Sequence, residues 1–150
     1  MKILRLLLVL VVGLFLAIQL VPYGRDHTNP PVSAAPAWDS PQTEATFTRA
    51  CGDCHSNTTR WPWYSHVAPM SWLVQYDVEE GRAVFNISES RMGEAEESAE
   101  TVAEGEMPPR AYLLLHPDAR LDSSAAQAFM QGLNATFGGE EGEEEDEDDD

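Results

Sequence analysis

The segment Cys51-Gly52-Asp53-Cys54-His55 is the feature that most constrains this chain, because it has the spacing C-x-x-C-H. This is the sequence to which haem is attached covalently. Two thiols about one helical turn apart can each add to a haem vinyl group, and the next residue then lies under the iron. The sequence therefore predicts haem c held by Cys51 and Cys54, with His55 as the proximal iron ligand.

Two other uses of paired cysteines fit the surroundings of the motif less well. A thioredoxin-like dithiol needs a strand before the motif and a βαβ pattern, and the sequence contains neither. A structural zinc site needs a second pair of ligands at metal spacing, whereas His66 and His116 stand alone with no cysteine near them. The motif therefore favours haem attachment over a redox dithiol or a zinc site.

The amino-terminal segment from Ile3 to Val21 is apolar apart from Arg5 and Gln19. As a helix it would extend about 28 Å, close to the hydrocarbon thickness of a bilayer. Residues 1–21 are therefore predicted to form a single transmembrane anchor, with a cleaved signal as the alternative. Lys2 and Arg5 precede the apolar run, which places the haem domain on the periplasmic side of the cytoplasmic membrane.

The remaining composition divides the chain into three parts. Residues 22–41 are rich in proline and predict an extended spacer, and residues 42–138 predict the haem-binding domain. Residues 139–150 predict a disordered tail, because ten of the eleven residues from 140 to 150 are acidic. The net charge is −17 and there is no basic patch, which argues against nucleic-acid binding.

The domain itself reads as mostly α. Ser40 can cap a helix whose first residue is Pro41 and which leads into the haem motif, and a second helix can begin near Ser71. A polar segment from about 90 to 104 predicts an exposed helix that stops at Gly105. Asp122 can cap a last helix, whose apolar stripe is expected to pack against the helix that enters the motif.

Two loops are expected to contribute to the haem pocket. The aromatic loop at residues 60–65, with Trp61, Trp63 and Tyr64, is expected to form one wall of the haem crevice. Met107, followed by two prolines, lies in a stiff segment that can direct a thioether sulfur at iron, and it is the predicted distal ligand. The other candidates for that position are Met70, Met92, Met130, His66 and His116, together with an open site.

From about residue 23 to 133 the chain resembles the bacterial haem-binding domain family of small, usually membrane-anchored monohaem proteins. The resemblance rests on ordered motifs that include the C-x-x-C-H-S-N run, Trp61-Pro62-Trp63-Tyr64-Ser65, Glu80-Gly81-Arg82 and Gly105-Glu106-Met107-Pro108-Pro109. It implies attachment through Cys51 and Cys54, proximal His55 and distal Met107. The chain departs from the family pattern at Ser90, where family members often carry tryptophan.

Axial ligation by His55 and Met107 would leave no open iron position, which suits one-electron transfer. The predicted function is therefore a membrane-anchored periplasmic monohaem c-type cytochrome that exchanges electrons with unidentified redox partners, and not an enzyme. A haem-based sensor with an empty or labile distal position is the first alternative. A peroxidase-like enzyme is the second, with His66 or His116 as the available acid–base group.

Overall fold

The structure is a computed structural model that describes residues 1–138. Within that range the chain forms six α-helices, with short 3₁₀ turns between some of them. They are α1 (Lys2–Ile18), α2 (Pro41–Ala50), α3 (Met70–Val84), α4 (Ser98–Ala103), α5 (Arg110–Leu115) and α6 (Ser123–Phe137). The mostly helical character of the domain agrees with the prediction. The acidic tail predicted over 139–150 lies outside the described residues.

The transmembrane helix predicted over residues 1–21 is wrong. Helix α1 has 17 residues and ends at Ile18, so its length is about 26 Å, against about 30 Å of hydrocarbon. At its end, the Gln19 side chain donates to Ala68 O (2.9 Å) and accepts from Ala68 N (3.0 Å). No helix within residues 1–138 is long and apolar enough to cross a membrane.

Both predicted helix caps are confirmed. The Ser40 hydroxyl accepts a hydrogen bond from Thr43 N at 3.2 Å, with Pro41 as the first residue of α2. The Asp122 carboxylate accepts from Ala125 N at 2.8 Å at the start of α6. Each cap satisfies an amide that the first helical turn leaves without a partner.

Helices α2 and α6 pack together as their apolar stripes predicted. Gly132 allows the close approach, because a Cβ there would lie within 3 Å of three Thr43 side-chain atoms. Phe47 of α2 and Leu133 of α6 are each only 1% exposed. The core continues into a cluster of aromatic rings that carries the fold toward the haem motif, namely Trp38, Phe47, Phe85 and Phe137.

The polar segment from 90 to 104 is not one exposed helix. Residues Ala95–Glu97 form a 3₁₀ turn, α4 follows directly, and the segment packs against α6. Ala95, Ala99 and Val102 are buried in the core. Their spacing of four and three residues gives one narrow apolar stripe, and the many glutamates around it conceal that stripe in the composition.

The proline-rich segment before α2 lies extended along the domain. Ser33 N donates to Ser88 O at 2.9 Å, and Asn57 Nδ2 donates to Pro31 O at 2.9 Å. Arg82 of α3 contributes a further connection, because its guanidinium donates to Thr28 O at 3.0 Å. These hydrogen bonds join the segment to the loops that follow the haem motif.

Candidate haem site

The C-x-x-C-H motif begins where α2 ends. Cys51 caps the helix, and the amides of Cys54 and His55 both donate to Cys51 O, at 3.1 and 3.0 Å. The motif is therefore a single tight turn that directly follows α2, as the sequence predicted. Its tightness brings both cysteine side chains and the histidine ring to the same wall of a cavity.

That cavity has a volume of about 280 Å³ and is lined by residues from every helix except α1. Cys51, Cys54, His55 and Met107 all line it, so the structure brings the four predicted site residues together. The other lining residues are mostly apolar on the inside and acidic at the edge: Phe47, Ala50, Asp77, Glu80, Gly81, Val84, Phe85, Glu94, Glu97, Ser98, Thr101, Val102, Pro108, Pro109, Tyr112 and Leu133.

The ring of His55 is oriented by the backbone. Its Nδ1 donates to Phe85 O at 2.9 Å, which leaves Nε2 as the ring nitrogen available to a metal. A second hydrogen bond, from Ile87 N to His55 O at 3.0 Å, fixes the backbone of the residue. Burial lowers the pKa of His55 despite the bond to Phe85, so the imidazole is favoured in the neutral form that binds metals.

The two thiols are chemically quiet in this environment. Burial, with a smaller contribution from Cys54, raises the pKa of Cys51 to about 12. Burial, followed by the charges of Asp77 and Asp53, raises the pKa of Cys54 to about 12. Reactive dithiols have lowered thiol pKa values, so this environment argues against a thioredoxin-like site.

Helix α3 approaches the motif so closely that only glycine fits at the contact. A Cβ on Gly81 would lie 2.8 Å from Cys54 O and 2.9 Å from Cys54 Cβ. Gly81 lies inside α3, three residues before its end. Its function is to let α3 form the wall beside the second cysteine.

A buried polar network supports the turn from behind. Asn57 N donates to Ser88 Oγ at 2.9 Å, and Asn86 Nδ2 donates to Asn57 Oδ1 at 2.9 Å. These three side chains are between 2% and 6% exposed. Because buried amides are costly when unpaired, this network fixes the loop after His55 against the loop after Phe85.

Met107 lines the same cavity but comes from a distant part of the chain. It is half-buried, and its backbone N–H donates to Thr101 O at 3.1 Å, at the point where the chain leaves α4. None of the other candidates, Met70, Met92, Met130, His66 and His116, lines this cavity. The position of Met107 is compatible with iron ligation, which stays a prediction.

The aromatic loop does not form a wall of this cavity, contrary to expectation. Trp63 is 79% exposed, and neither Trp61 nor Tyr64 lines the cavity. Trp61 instead stacks on His27 with ring centroids 4.6 Å apart and donates to Asn29 Oδ1 at 3.2 Å. The Trp61 ring, which the sequence analysis assigned to the haem crevice, thus packs against the extended segment before α2.

Asp53, inside the motif, is a site residue that sequence reasoning missed. It is 8% exposed, and its carboxylate accepts from Arg60 Nε at 3.1 Å and from Tyr112 Oη at 2.9 Å. Asp53 occupies one of the two variable positions of C-x-x-C-H, so the motif itself carries no signal for it. Both of its partners are distant enough in sequence that only the fold reveals the contact.

The residues present fit a haem group. The donor set combines two thiols, an imidazole with a free Nε2 and a thioether, on a cavity whose inner wall is apolar. Within residues 1–138 the buried Ser98 Oγ has no hydrogen-bond partner, and Ser98 lines the same cavity. A hydroxyl in that position can donate to a polar substituent of a bound cofactor.

Comparison with known proteins points to the same group. The family model described as haem-binding domain matches residues 13–135, which is most of the chain. No curated protein and no solved structure matches the sequence. The family match, the cavity and the donor set agree, and the chain belongs to the haem-binding domain family.

Proposed function

We propose that the protein is a monohaem c-type cytochrome that carries single electrons between redox partner proteins. The observation that supports this most directly is the convergence of Cys51, Cys54, His55 and Met107 on one cavity. Haem supplies an iron centre that exchanges one electron without net bond making. The protein would contribute attachment, both axial ligands and an environment that excludes water from the inner wall.

Each of the four residues has a separate task in this proposal. Cys51 and Cys54 would each form a thioether bond to a vinyl group, with the thiol hydrogen passing to the neighbouring vinyl carbon. His55 would present Nε2 to the metal, since Nδ1 is engaged with Phe85 O. Met107 would complete the coordination through its sulfur, which also raises the reduction potential.

The histidine positions favour electron transfer over peroxidase chemistry. A peroxidase needs an open iron face and an acid–base group beside it. Within residues 1–138, His55 is the one histidine that lines the cavity, and it is assigned to the proximal position. His116 lies behind Tyr112, with ring centroids 3.8 Å apart, and it does not reach the cavity.

The distal assignment is tested by spectroscopy of the haem-loaded protein. We expect the reduced wild type to bind carbon monoxide poorly, because both axial positions are occupied. Met107→Ala should lose the red charge-transfer band of ferric methionine-ligated haem, bind carbon monoxide readily and have a markedly lower reduction potential. Met130→Ala is the matched control, because Met130 is also half-buried but does not line the cavity.

An unchanged spectrum in Met107→Ala would remove Met107 from the site. Strong carbon monoxide binding by the wild type would replace the electron carrier with the sensor as the better hypothesis. Covalent attachment is tested separately by haem staining after denaturing electrophoresis. We expect the stain to be retained in the wild type and to be lost when both cysteines are changed to serine.

The haem domain is also proposed to act on the periplasmic side. The support is the order of Lys2 and Arg5 before an apolar run, which is the order found in export signals. Covalent haem in the periplasmic fraction of cells that express the full chain is the expected result. Recovery of the haem protein from the cytoplasmic fraction alone would contradict this location.

A further inference from the structure

A hydrogen bond joins the two sides of the haem cavity. Tyr112 on α5 donates from its hydroxyl to Asp53 Oδ2 at 2.9 Å, and Asp53 lies between the two cysteines. Tyr112 is five residues after Met107, and both residues line the cavity. The attachment motif is therefore bonded directly to the segment that carries the distal methionine.

The acceptor side of this bond is fixed. Asp53 Oδ1 accepts from Arg60 N and Arg60 Nε, both at 3.1 Å, and Oδ2 accepts from Arg60 Nη2 at 3.2 Å. Burial, together with the charge of Asp53 and the hydrogen bond to it, raises the pKa of Tyr112, so the hydroxyl stays protonated as a donor. The orientation of the Asp53 carboxylate is thus fixed by Arg60 as well as by Tyr112.

The donor side has few other attachments. Helix α5 has six residues and none of them is buried, and Leu114 and Leu115 are 75% and 54% exposed. On the other side of Met107, the backbone is attached to α4 through Thr101 O. Before Met107, the amides of Glu106 and Met107 both donate to Thr101 O, and the Met107 side chain packs against the core; after it, the Tyr112 hydroxyl is the bond to the attachment motif.

We propose that Asp53 and Tyr112 are positioning residues that keep the Met107 sulfur at the metal. The proposal rests on the distal role of Met107 proposed above. When the bond is present, the segment from Met107 to Tyr112 is closed over the cavity, and the thioether competes effectively with external ligands. When it is absent, α5 has little apolar burial to keep it in place, and the distal ligand becomes easier to displace.

The test measures displacement of the distal ligand by cyanide in the ferric, haem-loaded full chain. Tyr112→Phe removes the hydroxyl and retains the ring stacked on His116. We expect its apparent cyanide affinity to rise about tenfold, the effect of losing one hydrogen bond to a charged group. Its reduction potential should fall as methionine ligation weakens.

Tyr23→Phe is the matched control. Tyr23 also donates to a carboxylate, Glu79 at 2.8 Å, but neither residue lines the cavity. We expect the wild-type cyanide affinity and potential in this variant. A Tyr112→Phe variant with wild-type cyanide affinity would overturn the proposal, and so would an equal rise in both tyrosine variants.

A second pair of variants tests the acceptor of the hydrogen bond, Asp53. Asp53→Asn keeps an oxygen that can accept from Tyr112, so its cyanide affinity should lie closer to wild type than that of Asp53→Ala. Adding Tyr112→Phe to Asp53→Ala should produce no further rise, because the two residues act through one bond. Additive effects would contradict the proposal.

The two proposals fail in different experiments. If Met107 is not a ligand, the Met107→Ala spectrum matches the wild type. If Met107 is a ligand but the bond has no positioning effect, Met107→Ala changes the spectrum and Tyr112→Phe leaves cyanide binding unchanged.

Discussion

The two sides of the haem cavity are built differently. On the proximal side, the turn that carries the cysteines and His55 lies between the core helices and a network of buried polar side chains. On the distal side, Met107 lies in a loop followed by α5, a helix with no buried residues. The attachment turn is therefore enclosed by the core and this network, whereas on the distal side Met107 packs against the core but the helix that follows it does not.

This difference matters because the two sides have different chemical tasks in the proposed cytochrome. Covalent attachment requires that both thiols stay where the cofactor can reach them, and dense packing achieves that without any moving part. A thioether ligand is weaker, and its occupancy depends on how firmly the surrounding loop is kept closed. Changes on the proximal side should therefore alter folding and haem content, whereas changes on the distal side should alter ligand exchange.

The largest expected effect comes from Gly81→Ala. The added methyl group would collide with the backbone and Cβ of Cys54, neither of which can move without displacing the motif. We expect a loss of about 1–3 kcal/mol in the free energy of unfolding and a clear fall in covalent haem content. Gly13→Ala is the control, because nothing lies within 4 Å of a Cβ at that position in α1. Normal haem content in Gly81→Ala would show that α3 is not fixed against the motif.

A loss of stability of similar size, but without a direct clash at the cysteines, is expected from Asn57→Ala. This change removes the buried acceptor of Asn86 Nδ2 and a partly buried donor to Pro31 O. Leaving such groups unpaired costs about 1–3 kcal/mol, measurable by urea denaturation. Asn134→Ala, on the exposed face of α6, should cost much less.

The same Asn57→Ala variant tests whether the two sides are independent. Its cyanide affinity should equal that of the wild type, since the change does not touch the Met107 segment. If cyanide affinity changes together with stability, the proximal and distal sides are energetically coupled and the contrast between them is too simple.

The smallest effect is expected from Asp122→Ala. The amide of Ala125, the largest cause, lowers the pKa of Asp122 in the folded protein. A carboxyl whose folded pKa lies below its unfolded value of about 3.9 stabilises the fold above that value, and the contribution disappears as the pH falls through the folded pKa. The stability difference between wild type and Asp122→Ala should therefore shrink in acid.

Asp122→Asn separates the cap from its charge. Asparagine caps a helix about as well as aspartate, so this variant should be close to wild type at neutral pH. It should also lack the acid dependence that the carboxylate introduces. Thermal unfolding of the three proteins at several pH values measures both effects, and a pH-independent difference between wild type and Asp122→Ala would contradict the assignment.

Much of the fold could be read from local sequence. The caps at Ser40 and Asp122 and the apolar stripe of α6 depend on residues within one or two turns of each other, and all three predictions are confirmed. The segment from 90 to 104 was predicted to be exposed because its composition is dominated by glutamate. Its three buried apolar residues, Ala95, Ala99 and Val102, are nevertheless sufficient for packing against α6. The length of α1 was misjudged because the apolar run extends to Val21 whereas the helix ends at Ile18, before Gln19, whose side chain bonds to the distant Ala68.

The sequence by itself determined which donor groups meet in the motif, because C-x-x-C-H joins two thiols and an imidazole in one turn, and short-range geometry follows from short-range sequence. Only the tertiary structure decided what surrounds that turn. It brought Met107 into the cavity, directed Trp61 and Trp63 away from it, placed Gly81 against Cys54 and bonded Asp53 to Tyr112. Gly81 and Cys54 are 27 positions apart in the sequence, and Asp53 and Tyr112 are 59 positions apart. The energies of such contacts depend on packing and burial that no local pattern encodes.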